Sequence, residues 1–155
     1  MDDFLSQFPD VECSCKECAE ACEYSPCWGT PEEIRFLIFV GYGKRMTLHD
    51  LDGTDFGLRT RKVKIVTPGF AGLLRRVTTS TFYTGICEFL VKEDLTKMGL
   101  CELHDKKLKP LEGRIVDHAI SPEEGVMIRR AVFETWDTPE GRSVVDMWVK
   151  EYLRE

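Results

Sequence analysis

Apolar residues recur at helical spacing in three segments, and each segment is opened by the same kind of signal. Thr30-Pro31-Glu32-Glu33, Ser121-Pro122-Glu123-Glu124 and Thr138-Pro139-Glu140 each put a hydroxyl at an N-cap, proline at the first helical position and acid in the first turn. The first two also carry Glu at the third helical position, the mark of a capping box. The pattern predicts helices over roughly 31–40, 122–136 and 139–153. In the last of them Val144, Val145, Trp148, Val149 and Tyr152 share one face, which reads as core packing. Gly41-Tyr42-Gly43-Lys44 stops the first helix. A shorter helix is predicted from Thr47, with Asp50 three residues on, broken by Asp52-Gly53 and Phe56-Gly57.

Between these helices the period changes to two. Arg61-Lys62-Val63-Lys64-Ile65-Val66 alternates polar and apolar positions, predicting a half-buried strand ended by Thr67-Pro68-Gly69. Thr78 to Tyr83 is rich in β-branched and aromatic residues and predicts another. Ile86 to Leu90 and Leu100 to His104 read as short extended pieces joined by Lys92 to Gly99. No internal repeat or low-complexity stretch interrupts the chain. The expected architecture is a small, helix-rich α+β fold, one domain over 1–155, with a C-terminal helical pair over 121–155 and irregular cysteine-bearing segments around a metal site.

Composition adds a question. A domain of 155 residues buries about 68–70% of its unfolded surface and needs no staple merely to fold, yet seven cysteines are present. Five of them, Cys13, Cys15, Cys18, Cys22 and Cys27, fall within 15 residues, while Cys87 and Cys101 stand far downstream. The start, MDDFLSQFPD, is acidic where a secretory signal is basic, and Ile34 to Gly43 is well short of the roughly 20 residues a bilayer span needs. A soluble, cytoplasmic protein without membrane contact is expected. In a reducing compartment an odd set of thiols points to metal ligation or redox chemistry rather than to a disulfide framework.

Charge sharpens the question. The first 33 residues hold nine acids against one lysine, a balance of −8 within an overall −6. Such a segment repels phosphate backbones and suits a cation, which offsets the charge of deprotonated thiols.

The spacing C-x-C-x2-C-x3-C-x4-C gathers sulfurs by local geometry alone. Cys18 and Cys22 sit one helical turn apart, and Cys15 and Cys18 have the C-x2-C spacing with which two sulfurs bind one metal from a tight turn. The polar neighbours Ser14, Lys16, Glu17, Glu20 and Glu23 argue against a buried apolar cluster.

The run Cys13-Ser14-Cys15-Lys16-Glu17-Cys18-Ala19-Glu20-Ala21-Cys22, followed by Pro26, Trp28-Gly29 and Thr30-Pro31-Glu32-Glu33, resembles the N-terminal cluster of the YkgJ-like cysteine-cluster proteins, described as a zinc- or iron-chelating domain. Cys87-Glu88-Phe89-Leu90, Gly99-Leu100-Cys101-Glu102-Leu103-His104, Lys109-Pro110 and Gly113-Arg114 resemble that family's later elements, so the likeness spans residues 13–114. It implies that Cys13, Cys15, Cys18, Cys22, Cys87 and Cys101 form a shared metal or iron–sulfur site. The chain departs from the pattern at Gly113, where the family has its last cysteine, and carries Cys27 where relatives have glycine. Cys27, His104 or His118 is expected to replace the missing ligand.

Sulfur-rich ligation selects Zn²⁺ or an iron–sulfur cluster over Mg²⁺ or Ca²⁺. His104 is the better placed histidine in sequence, three residues after Cys101, whereas His49 receives no role. From Phe56 to Cys87 six basic residues meet no acid, with Phe70, Phe82 and Tyr83 interleaved. That pattern reads first as a solvated strand face and only second as a nucleic-acid surface. No G-x-S-x-G, P-loop, G-x-G-x-x-G or H-E-x-x-H is present. The chemistry expected is metal ligation that cross-links the fold. The alternatives are an iron–sulfur enzyme or redox protein, methylase-like by resemblance to flagellin lysine N-methylases, and a metal-stabilised interaction module.

Overall fold

The computed structural model describes residues 2–11, 15, 17–18, 21, 27–51, 55–60, 62–66, 75–78, 86–91 and 100–153. Helices α1 (Asp2–Leu5) and α2 (Pro31–Leu37) precede a wide turn at Ile38–Tyr42 and a tight one at Gly43–Arg45. Strands β1 (Met46–Leu51), β2 (Asp55–Thr60), β3 (Lys62–Val66), β4 (Arg75–Thr78), β5 (Ile86–Cys87), β6 (Leu90–Val91) and β7 (Leu100–Cys101) follow. The chain then forms α3 (Glu102–Asp105), α4 (Leu111–Ile115), α5 (Pro122–Trp136) and α6 (Pro139–Tyr152). The described residues make an α+β fold, as the alternating periods predict.

The helix starts form as their sequences direct. Ser121 and Glu124 exchange both hydrogen bonds of a capping box, at 3.1 and 3.2 Å. Thr138 accepts from the Gly141 amide at 3.0 Å. At Thr30 the hydroxyl accepts from the Glu33 amide, but the reciprocal bond is missing: the Glu33 carboxylate takes the Thr30 hydroxyl at 3.2 Å and pairs with Arg114 at 3.3 Å. The cap of α2 is thereby tied to α4. Beyond Leu37 the backbone stays helical in a wider, π-type turn through Val40, and it is broken at Gly41, which takes φ 108, so the helix stops where the sequence predicts.

The predicted helix at Thr47 is a strand. Met46 to Leu51 pairs antiparallel with Asp55 to Thr60 in the register Leu48↔Leu58. The T-x-x-D signal is local, whereas pairing with the second strand buries Met46, His49, Leu58 and Thr60. Asp52-Gly53, read as a helix breaker, lies outside the described residues. Strand β3 forms over 62–66 as predicted and pairs with β4 and β5, while β6 pairs with β7 in the register Leu90↔Cys101. The strand predicted over 78–83 meets β4 only at Thr78, and 79–83 lie outside the described residues. The extended piece predicted to reach His104 stops at Cys101, where α3 begins.

The core forms where α2, β2, α5 and α6 meet, around fully buried Ile34, Leu58, Ile128, Val132 and Trp136. The predicted stripe on α6 is the face it buries: Val144, Val145 and Trp148 are inside, with Val149 and Tyr152 at the margin. Two indoles anchor backbone turns, Trp136 donating to the Gly29 carbonyl at 2.9 Å and Trp148 to that of Gly43 at 2.7 Å. Among the described residues no helix is long and apolar enough to cross a membrane.

Gly57 combines two constraints. Its φ of 151 disfavours any side chain, and a Cβ there would lie 2.8 Å from the Trp136 ring. Gly57→Ala is expected to cost about 2–3 kcal/mol, read as a lower urea midpoint at unchanged slope. An unchanged midpoint would show that Trp136 is not fixed as described.

Candidate metal centre

The acidic N-terminal segment is held before its cysteines begin. Leu5 is buried against the core, the Val11 amide donates to the Arg114 carbonyl at 2.8 Å, and Asp10 pairs with the Arg114 guanidinium at 3.0 Å. This places the segment beside α4 and the turn that follows it. That turn is shaped by Asp117, whose carboxylate accepts from the Ala119 amide at 2.9 Å and whose carbonyl accepts from the Ile120 amide at 3.2 Å. His118 sits between them, exposed.

Cys15 and Cys18 approach this histidine from the other side. Both sulfurs lie 3.5 Å from the same ring nitrogen, His118 Nδ1. Cys15 is exposed, Cys18 is partly buried, and the three atoms all fall within 4.8 Å of one another. A neutral imidazole nitrogen carries either one proton or one lone pair, so it has a single direction to offer two sulfurs. The three atoms lie close enough together to hold one cation. With metal–sulfur bonds of about 2.3 Å and metal–nitrogen bonds of about 2.05 Å, tetrahedral angles separate sulfur from nitrogen by about 3.6 Å. The observed spacing matches that within a tenth of an ångström or so, and a Cys₂His donor set suits a thiophilic cation such as zinc.

The remaining candidates are placed differently. Cys27 and Cys87 are buried on either side of Thr60. The Thr60 hydroxyl accepts from the Cys27 amide at 2.8 Å and from the Cys87 thiol at 3.4 Å, and the Thr60 amide donates to the Cys27 carbonyl at 3.2 Å. Burial pushes the neighbouring Arg59 guanidinium below its usual range, and the Cys87 sulfur pulls it back up. Cys101 is partly buried at the end of β7. The next residue, Glu102, is held below the usual carboxylate range by a 2.8 Å hydrogen bond from Arg45, whose guanidinium also covers the Phe89 ring at 4.1 Å. His104 is exposed on α3. Cys13 and Cys22 lie outside the described residues. Among the described residues, Cys15, Cys18 and His118 are the one group of three candidate ligands within 4.8 Å.

Comparison with protein families, curated proteins and solved structures returned no match.

The group therefore stands on its own geometry. Of the three residues expected to replace the ligand missing at Gly113, the structure brings His118 to the cysteine pair. Nothing local in the sequence marks this histidine, which lies 100 and 103 positions from its partners. Cys27 and His104 line the same cavity as Cys18 and His118, and Cys27 packs against Gly113. A Cβ at Gly113 would lie 2.6 Å from the Cys27 sulfur and 2.9 Å from Lys109 Cε, so the two positions cannot both carry a side chain of ordinary reach without movement.

Gly113→Ala is accordingly expected to destabilise the chain by about 1–3 kcal/mol, and Cys27→Ala in the same chain to recover part of the loss. A double-mutant cycle in urea should give a coupling of at least about 0.5 kcal/mol. Strict additivity would mean that the sulfur does not occupy this space.

Proposed function

We propose that the chain is a metal-binding protein in which Cys15, Cys18 and His118 ligate a thiophilic cation, Zn²⁺ or iron, and so fasten the acidic N-terminal segment to the turn between α4 and α5. The observation that carries this reading is the pair of equal 3.5 Å contacts from two sulfurs to one imidazole nitrogen. The chemistry of the segment supports it. Thiolates formed inside a stretch of charge −8 repel one another and their surroundings, and a divalent cation removes that penalty. The resemblance to the YkgJ-like cysteine-cluster proteins agrees, and it supplies Cys13 and Cys22 as further ligands.

The role of the metal is structural cross-linking. Binding requires deprotonated thiols and a neutral imidazole, so affinity falls as the pH drops and the ligands protonate. Because the partners are about a hundred positions apart, the ion closes a long loop, and its binding energy becomes stability of the folded chain.

Metal content per chain, measured on protein purified without oxygen, tests this. Cys18→Ser and His118→Ala should each weaken binding by more than the roughly 10- to 100-fold that loss of an outer partner costs. His104→Ala and Cys27→Ala should leave content unchanged. Full metal content in His118→Ala would refute the assignment. An absorption band near 400 nm in the bound protein would identify iron–sulfur, and its absence with stoichiometric zinc would identify a zinc site.

A further inference from the structure

A cavity of about 810 Å³ lies between the N-terminal segment and α5, and Cys18 and His118 both stand in its wall. Its size falls within the range of small-molecule sites, roughly 300–1,000 Å³. The opposite wall is a single stripe of α5, since Pro122, Gly125, Arg129 and Phe133 follow one another at intervals of three or four. Val116 and Val126 extend the apolar lining.

Gly125 is the informative member of that stripe. Glycine is the poorest helix former after proline, yet it occupies the interior of a helix whose other signals are strong. A Cβ built there meets nothing within 4 Å, so no neighbour demands its absence. Glycine at this position keeps the cavity wide.

The charges select the occupant. Glu112 and Arg129 neutralise each other through two hydrogen bonds of 2.9 and 3.0 Å, and Asp137 is bound by Arg142. Of the remaining lining charges, the acids Glu17, Asp117 and Glu134 outnumber Lys109 and Arg130. The thiolates and the divalent cation they share add no net positive charge. An apolar wall with an excess of carboxylate suits a cation on an apolar body and repels an anion.

We propose that this cavity binds a small organic cation with an apolar body, and that bound metal is required for it to do so. The second clause rests on the metal-binding reading. One wall belongs to the N-terminal segment and the other to α4, α5 and the turn between them. The ion joining Cys18 to His118 holds the two walls at one separation.

Calorimetric titration with 2-phenylethylamine, and with 3-phenylpropanoate as the anion of similar size, tests both clauses. Metal-loaded protein should bind the amine at least about tenfold more tightly than the carboxylate. Chelated protein should bind it at least about tenfold more weakly than loaded protein. Gly125→Leu should keep full metal content and lose the amine; Gly125→Ala, which favours the helix, should fold at least as well and bind more weakly than wild type. Equal binding by Gly125→Leu, no binding of the amine by loaded wild type, or equal binding of the two compounds would overturn the cavity assignment. Unchanged affinity after chelation would overturn the metal requirement alone. A chain that takes up no metal would instead refute the metal-binding reading, which the content measurement reports separately.

Discussion

Trp136 is the side chain around which the described parts of this protein are arranged. It is fully buried at the end of α5, and its indole N–H must find an acceptor, because an unpaired donor in the interior costs about 1–3 kcal/mol. The Gly29 carbonyl provides it. That bond holds the Cys27–Gly29 stretch in place, and the stretch in turn bonds to β2 at Thr60 and to α4 through the Glu112 amide and the Trp28 carbonyl. The ring also forbids side chains nearby. Gly57 on β2 would press a Cβ into it, and Gly141 at the start of α6 would meet its backbone. One indole thus sets the separation of α5, α6 and β2, and with it the platform on which α4 and the His118 turn sit.

The proposed metal centre would be a second fastening of a different kind. The core around Trp136 is dry and apolar and orders itself by burial. The N-terminal segment has no such means, because its few apolar residues are spread among acids. It is attached at Leu5 and Val11 by burial and one backbone bond, and by Asp10 through a partly exposed ion pair that is worth at most about 1 kcal/mol. Between Val11 and Cys27, Cys15 and Cys18 meet the body at the His118 imidazole. In the proposed reading ligation takes over there, where hydrophobic burial ends.

These two regimes explain what could be read in the sequence and what could not. Ser121, Thr138 and Thr30 announced their helices because an N-cap is a property of four or five consecutive residues. The α6 stripe was legible for the same reason, since one period repeats over fourteen residues. Thr47 misled because a local helix signal competes with a strand whose paired residue, Arg59, is twelve positions away, and burial decided for the strand. Cys15 and Cys18 were visible as a C-x2-C pair. His118 was only one of three candidates for a missing ligand, because the fold alone brings a residue a hundred positions distant to their sulfurs, and a lone histidine in a turn carries no spacing to single it out.

Gly113 and Cys27 show how packing revises a reading built on ligand counting. Counting thiols treats each cysteine as a candidate for the metal, so a glycine where a cysteine is expected becomes a vacancy to be filled. The geometry supplies a simpler relation, in which the Cys27 sulfur takes the volume that a side chain at 113 would need. A sulfur in that place is buried and its backbone is engaged by Thr60, while it lines the same cavity as Cys18 and His118. Free cysteine behaves as a small hydrophobe when buried, and Cys27 meets that description. The seven thiols therefore divide by environment. Those in the polar, acidic segment have a reason to bind a cation, while the Cys27 thiol also has a packing reason for its place, against Gly113.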